Sequence, residues 1–371
     1  MKICMVSKFP PIQGGIAART YWLARGLAEA GHEITIVTNS ASVEKNYKIC
    51  GCDEHLRTLK NISVQSISDA TPWHIPNSQE YTIRLLNRIL QLLRSKHFDL
   101  IDAGYLVPYG IVAYLAHKVT SVPYVIRHGG SDIAKFMDNP EYRDVIKETI
   151  SAANLVVTDE KHEKINGLLN PNTIVLPPYV PDERAFKPTN KADKSVPVFA
   201  YIGKVNFFWR RKGLDTIASM FKELDSSNYR LIFVAEGLGL EDFKNSLSPN
   251  MRDRISFQPF VPPWEMPGLL ASIDYLFHFV VDEPIENPSN LVLEALASGT
   301  EILTNQDLQT SDGVHKLDPS DIHTCANYLG DFISDYPSHK PNGQAKLPFL
   351  KPNRQRYIQQ NIEIYHRLLK A

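Results

Sequence analysis

Val198-Phe-Ala-Tyr-Ile-Gly-Lys-Val-Asn-Phe-Phe-Trp-Arg-Arg-Lys-Gly-Leu-Asp-Thr-Ile217 reads as an apolar run, a cationic loop and the start of a helix. Val198–Ile202 shows no polar alternation, the pattern of a parallel strand buried on both faces. Gly203-Lys204 ends it. Arg210, Arg211 and Lys212 follow, and the helical pattern Leu214–Leu224 begins after Gly213. A strand, a cation-bearing turn and a helix form the first crossover of an α/β domain, where such folds bind phosphate. The weight of this stretch comes from its place in the chain, because an α/β pattern has already run to completion before it.

Upstream, short apolar runs mark strands at Ile3–Val6, Ile34–Thr38, Ile62–Ile67, Leu100–Ala103, Tyr124–Arg127 and Leu155–Thr158. Helical patterns separate them. The first covers Ile16 to Ala30, with Ile16, Leu23, Ala24, Leu27 and Ala28 on one face and Gly31 as a C-terminal stop. Leu176-Pro-Pro-Tyr-Val-Pro181 and the polar residues Lys187 to Lys194 then read as a linker. Downstream, strands are predicted at Val198–Ile202, Leu231–Ala235, Ile255–Phe257, Tyr275–Phe279 and Glu301–Thr304. Helices are predicted at Asn290–Ser298, Asp321–Ile333 and Asn353–Leu369. The fold class is α/β: two Rossmann-like doubly wound domains, residues 1–185 and 195–350, expected to face each other across a cleft. The helix at 353–371 is expected to pack back on the first domain.

Composition sets outer limits. Of 371 residues, 43% are hydrophobic and 22% charged, which suits a globular chain of two domains. A net charge of -1 gives no general case for nucleic-acid binding, so any anion site is local. Cys4, Cys50, Cys52 and Cys325 form neither a disulfide framework nor a metal-ligand pattern. No leader pattern precedes the first strand, and no apolar run reaches the ~18 residues that span a bilayer. A cytoplasmic protein is expected, at most peripheral to a membrane.

The strongest chemical signal is Glu286-Asn-Pro-Ser-Asn-Leu-Val-Leu-Glu294. Its helix begins near Ser289 or Asn290, both good N-caps, and stops at Gly299. The helix start offers free N–H groups and a positive dipole end, with one carboxylate before it and one within it. Such a site suits a ligand that carries both hydroxyls and phosphate. A surface helix with two solvated glutamates is the competing reading, and the position after an apolar strand weighs against it. The cations after Gly203 would neutralise a departing diphosphate. Gly14-Gly15 before the first helix permits close approach of a ligand, though it is no dinucleotide fingerprint. Arg127-His-Gly-Gly-Ser-Asp132 ends a strand in a glycine-rich loop. His128 there reads equally as a ligand-facing group and as a hydrogen-bonded structural residue.

Taken in order, these segments resemble family 4 of the retaining glycosyltransferases, of GT-B fold. The resemblance rests on Pro10-Pro-Ile-Gln-Gly-Gly15, Ala30-Gly-His-Glu-Ile-Thr35, Phe98-Asp-Leu-Ile101, His128-Gly129, Gly203-Lys204 with Lys212-Gly213, and the paired glutamates; it covers about residues 1–305. It implies transfer of a sugar from a nucleoside-diphosphate sugar to a glycan, a lipid-linked or a small-molecule acceptor. By that resemblance, Gly14 and Gly15 lie against the donor phosphate, and Lys204 and Lys212 bind the diphosphate. Arg210 or Arg211 compensates for the lysine that stands at 204 where the family has arginine. Glu286 and the amides of Ser289, Asn290 and Leu291 hold the donor sugar. Glu294 binds the ribose, Phe260 borders the base, and His128 contacts the sugar near the reacting carbon. Glu283 competes with Glu286 for its place, and the spacing to Glu294 favours Glu286. Ala235-Glu236-Gly237, Asn287-Pro288-Ser289 and the segment after Thr304 depart from the family pattern.

No Asp-x-Asp motif occurs, so neither a metal nor a cofactor is expected beyond the nucleotide-sugar co-substrate. A sugar-nucleotide epimerase and a silent binding module are the rival readings on the same fold. One further pattern concerns a partner. Ile83-Arg-Leu-Leu-Asn-Arg-Ile-Leu-Gln-Leu-Leu-Arg-Ser-Lys96 is an amphipathic basic helix, suited either to an anionic lipid surface or to packing on its own sheet, and packing is the commoner outcome.

Overall fold

A computed structural model describes residues 1–39, 43–67, 79–128, 133, 136–158, 169–188, 194–224, 226–280, 288–308, 313–336 and 353–370. The chain divides into two compact units, Met1–Pro177 with Arg354–Ala371, and Pro178–Asn353.

The first unit holds a seven-stranded parallel sheet in the order β3-β2-β1-β4-β5-β6-β7. Its strands are β1 (Lys2–Val6), β2 (Glu33–Thr38), β3 (Ile62–Ser66), β4 (Leu100–Gly104), β5 (Tyr124–Arg127), β6 (Leu155–Thr158) and β7 (Thr173–Val175). Ile3, Cys4, Met5 and Val6 sit between Ile34–Val37 and Leu100–Ala103 and are buried on both faces, which is why the run lacks alternation. Burial pushes the Cys4 thiol up to about 12, so it is an inert core residue. Helices α1 (Gly15–Glu29), α2 (Cys52–Thr58), α3 (Gln79–Ser95), α4 (Ile111–Thr120) and α5 (Pro140–Ser151) belong to this unit.

Helix α1 is buried on more than the one face its apolar residues predict. Trp22 and Gly26 are buried too, and the C-terminal helix (Arg354–Lys370, α12 below) packs on α1. A Cβ at Gly26 would come within 2.4 Å of the Ile358 side chain, so glycine lets the two helices approach. Arg354 and Glu29 pair across the same contact. Helix α3 commits its apolar stripe to the core: Tyr81, Leu85, Ile89 and Leu92 all face inward, and Arg84, Arg88 and Arg94 are exposed. The apolar stripe that the sequence offers to a lipid surface is therefore buried in the core of the unit, against α4 and the sheet.

The second unit holds a six-stranded parallel sheet in the order β10-β9-β8-β11-β12-β13. Its strands are β8 (Val198–Lys204), β9 (Arg230–Glu236), β10 (Ile255–Gln258), β11 (Tyr275–His278), β12 (Glu301–Thr304) and β13 (Val314–Lys316). Helices α6 (Leu214–Glu223), α7 (Leu240–Ser246), α8 (Pro249–Arg254), α9 (Met266–Ala271), α10 (Asn290–Ala297), α11 (Ile322–Asp335) and then α12 complete the described elements. The core is rich in aromatic rings, with Phe199 stacked on Tyr275 at 5.0 Å and Phe233 on Phe243 at 5.6 Å. Buried Asp274 fixes the entry to β8. It accepts from the Val198 N–H at 2.9 Å and the Tyr336 hydroxyl at 3.0 Å, and pairs with Lys194 at 3.3 Å.

Candidate functional site

The carboxyl ends of the second sheet collect most of the residues singled out by sequence. Ser289 is the N-cap of α10, and its Oγ accepts the Val292 N–H at 3.4 Å. The N–H groups of Asn290 and Leu291 have no intrahelical acceptor, as at any helix start. The Ser289 oxygen also lies 3.3 Å from Nε2 of His278, the last residue of β11. Burial, and then the charge of Lys212, lower the His278 pKa to about 4, so the imidazole is neutral near pH 7. Lys212 is exposed, at the end of the 3-10 turn Trp209–Lys212, yet close enough for its charge to reach His278. A capped helix start, a neutral imidazole and a cation therefore meet at the ends of β8 and β11. His278 was not legible as a site residue, because it stands inside an apolar strand pattern.

Glu294 lies one turn further along α10 and is only 8% exposed. Burial alone pushes its carboxyl up to about 8. This removes the reading of a solvated surface glutamate. Glu283 and Glu286, which the sequence makes rivals for the other carboxylate, lie outside the described residues, as does Asn287.

On the other side of β8 the strands run further than their apolar cores. Lys204 and Glu236 are paired rungs at the ends of β8 and β9. Burial raises the Glu236 pKa, opposed by the Phe260 N–H, which donates to the carboxylate. The other carboxylate oxygen, Oε2, is buried with no partner among the described residues. Lys204, Glu236 and Phe260 thus come together from three adjacent strand ends. Gly237 follows with φ +140, and a Cβ there would sit 2.3 Å from the Val205 carbonyl oxygen. The glycine is required by that close approach.

Arg210 and Arg211 are placed differently from Lys212. The Arg210 guanidinium lies 4.1 Å over the Trp209 ring and that of Arg211 5.3 Å over Phe208. The segment after Thr304, where the sequence leaves the family pattern, clasps the end of β11. The Thr304 hydroxyl donates to the His278 carbonyl at 2.7 Å. The Asn305 side chain accepts from the Val280 N–H at 3.1 Å and donates to the Val280 carbonyl at 2.8 Å, imitating a ladder rung. Gln306 adds a bond to the same carbonyl at 2.9 Å.

In the first unit, Gly14 caps α1 with φ 118, and Gly15 is exposed with no atom within 4 Å of a Cβ placed on it. Packing inside the unit does not require glycine at 15, which leaves that helix start open. His128 is buried just beyond β5, its N–H bonded to the Val157 carbonyl at 3.4 Å. Residues 129–132 lie outside the described residues. The preceding residue, Arg127, is locked into a buried network. Its Nε donates to both oxygens of Asp102, at 2.9 and 2.8 Å, and its Nη2 to Asn361 and Tyr365 of α12, each at 2.6 Å. The Tyr365 hydroxyl donates in turn to Asp102. Sequence reasoning missed this cluster because its members stand far apart in the chain.

Two parallel-sheet α/β units with polar groups at the strand ends are the architecture of the GT-B fold. Residues 14–136 match the family described as a glycosyl transferase 4-like domain. The chain is 24% identical over 241 residues to N-acetyl-alpha-D-glucosaminyl L-malate synthase of Bacillus anthracis, covering 61% of this chain and 60% of that enzyme. It is 24% identical over 333 residues to an uncharacterized glycosyltransferase of Methanocaldococcus jannaschii, covering 82% and 80%. Among solved structures, sucrose-phosphate synthase of Thermosynechococcus elongatus superposes with TM-score 0.73 at 16% identity over 100% of both chains. Anabaena HepE in complex with UDP-glucose superposes with TM-score 0.64 at 15% identity, over 100% of this chain and 98% of that one. Residues 14–136 thus match a glycosyl transferase 4-like domain, the two curated relatives make the chain similar to glycosyltransferases, and the solved structures share its fold.

Proposed function

We propose that the protein transfers a sugar, with retention at the anomeric carbon, from a nucleoside-diphosphate sugar to a glycan, lipid-linked or small-molecule acceptor. The observation that carries this reading is the junction of the Ser289-capped start of α10 with neutral His278 and Lys212. A helix start and a nearby cation favour a dianionic diphosphate, and they favour it more as charge builds on the leaving group. In this reading Lys204 and Lys212 bind the diphosphate, with Arg210 and Arg211 at its margin. Glu286 and the amides of Ser289, Asn290 and Leu291 hold the sugar. Glu294 binds the ribose hydroxyls and Phe260 borders the base; the family resemblance assigns Gly14 and Gly15 to the donor phosphate and His128 to the sugar. The proposed reaction uses no metal, since cations and helix amides take the charge.

The HepE complex with UDP-glucose supports a nucleotide sugar as the donor class. The test is incubation with UDP-, GDP- and ADP-sugars, following nucleotide release and the anomeric configuration of the released sugar. Release of nucleotide with the starting configuration kept is expected. Inversion would overturn retention, and an isomerised nucleotide sugar with no release would favour an epimerase.

A further inference from the structure

The loop that leaves β8 carries Phe207 and Phe208 side by side, 69% and 72% exposed. Exposed aromatic pairs of this kind mark interaction sites, because water is a poor environment for them. The loop is built to hold them out. Trp209, the next residue, is 1% exposed, packs edge-on against Phe243 and donates its indole N–H to Asp242 at 2.8 Å. The backbone is clasped to the end of β9: the Val205 N–H bonds the Glu236 carbonyl at 3.0 Å, and the Gly239 N–H bonds the Val205 carbonyl at 2.9 Å. A Cβ on Gly239 would lie 2.2 Å from the Asn206 carbonyl, so the two loops touch along their backbones. Leu238, between Gly237 and Gly239, is 44% exposed.

Charge decides what such a tip fits. Lys204, Arg210, Arg211 and Lys212 fall within nine residues, and no carboxylate lies between Lys204 and Leu214, in a chain whose net charge is -1. Arg211 stacks on Phe208 itself. The neighbouring acids are engaged, Asp242 with Trp209 and Glu241 with Lys244 at 2.8 Å. Two exposed rings stand here beside clustered guanidinium groups. They have the chemistry of interfacial anchors, with rings at the acyl boundary and cations at anionic headgroups.

We propose that Phe207 and Phe208, with Arg210 and Arg211 behind them, dock the protein on an anionic lipid bilayer. The contact lies in the second unit. Helix α3, the basic amphipathic helix of the first, has its apolar stripe buried in the core. Docking there would let the enzyme meet an acceptor held at a membrane surface; Arg210 and Arg211 also stand at the margin of the proposed donor site, so the variants that test docking change Phe207 and Phe208 alone.

The experiment is co-sedimentation of the full chain with vesicles of phosphatidylcholine containing phosphatidylglycerol, and with phosphatidylcholine alone. Binding to the anionic vesicles at low salt is expected, with loss at high salt. A Phe207→Ser/Phe208→Ser variant should bind roughly tenfold less or weaker still, and Phe207→Trp/Phe208→Trp should retain binding. An unchanged melting temperature shows that the serine variant is folded. Wild-type protein left in the supernatant would overturn the proposal. So would a serine variant that sediments like wild type, loss of binding through Ile83→Ser on α3 instead, or a dimer that the serine variant dissociates.

Discussion

Glu294→Gln gives a test with a predictable slope. The Glu294 carboxyl is raised from its ordinary 4.5 to about 8 by burial. Below pH 4.5 it is protonated in the folded and the unfolded chain alike and has no effect on stability. Between pH 4.5 and 8 the unfolded chain ionises while the folded one holds its proton, so stability falls as pH rises. Each pH unit is worth about 1.4 kcal/mol, and above pH 8 the full cost of about 5 kcal/mol stands. Glutamine does not titrate. It loses a fixed amount, on the order of 1–3 kcal/mol, if its amide finds no partner, and that amount does not vary with pH. The difference in unfolding free energy between variant and wild type should therefore grow in favour of the variant by about 1.4 kcal/mol per unit from pH 5 to pH 8. Urea unfolding at four pH values in that range measures it. A difference that stays flat would refute the burial of this carboxyl.

Further outcomes follow from the same structure. Lys212→Ala should reduce nucleotide release by ~10²-fold, the weight of one charge-stabilising group, with no change in melting temperature because Lys212 is exposed. Arg127→Met should cost about 3 kcal/mol in a urea melt, because it strands buried Asp102, and Asp102→Leu in the same chain should recover most of that loss. Gly237→Ala should cost ~2 kcal/mol by the same assay, since its Cβ would meet the Val205 carbonyl, whereas Gly268→Ala has open space.

How much of this was legible follows from physical rules. Strands such as β1 and β11 showed themselves because residues buried on both faces give unbroken apolar runs. The edge strands β7 and β13 have three residues each, too few for any period to register, and β13 carries His315 and Lys316. The α10 start was legible from Ser289, since caps are set by local chemistry. His278 was hidden by Tyr275, Leu276 and Phe277 before it and Phe279 after it. Phe207 and Phe208 carry no sequence signal of their exposure, because aromatic residues next to a strand are as often core. Their exposure is set by Trp209, which takes the inward position, and by the approach of Gly237 and Gly239. The extra burial of α1 could not be read from its own residues, because the covering helix comes more than three hundred residues later in the chain. The Arg127 network likewise joins residues 102, 127, 361 and 365, which no local pattern connects.

The central claim is that the end of the second sheet binds a nucleoside diphosphate. Isothermal titration of UDP, GDP and ADP into wild-type protein and into Lys212→Ala, with EDTA present, tests it most directly. At least one nucleotide should bind the wild-type protein at a single site, and Lys212→Ala should weaken that binding about tenfold or more. No binding of any of the three, or equal binding by the variant, would contradict the account.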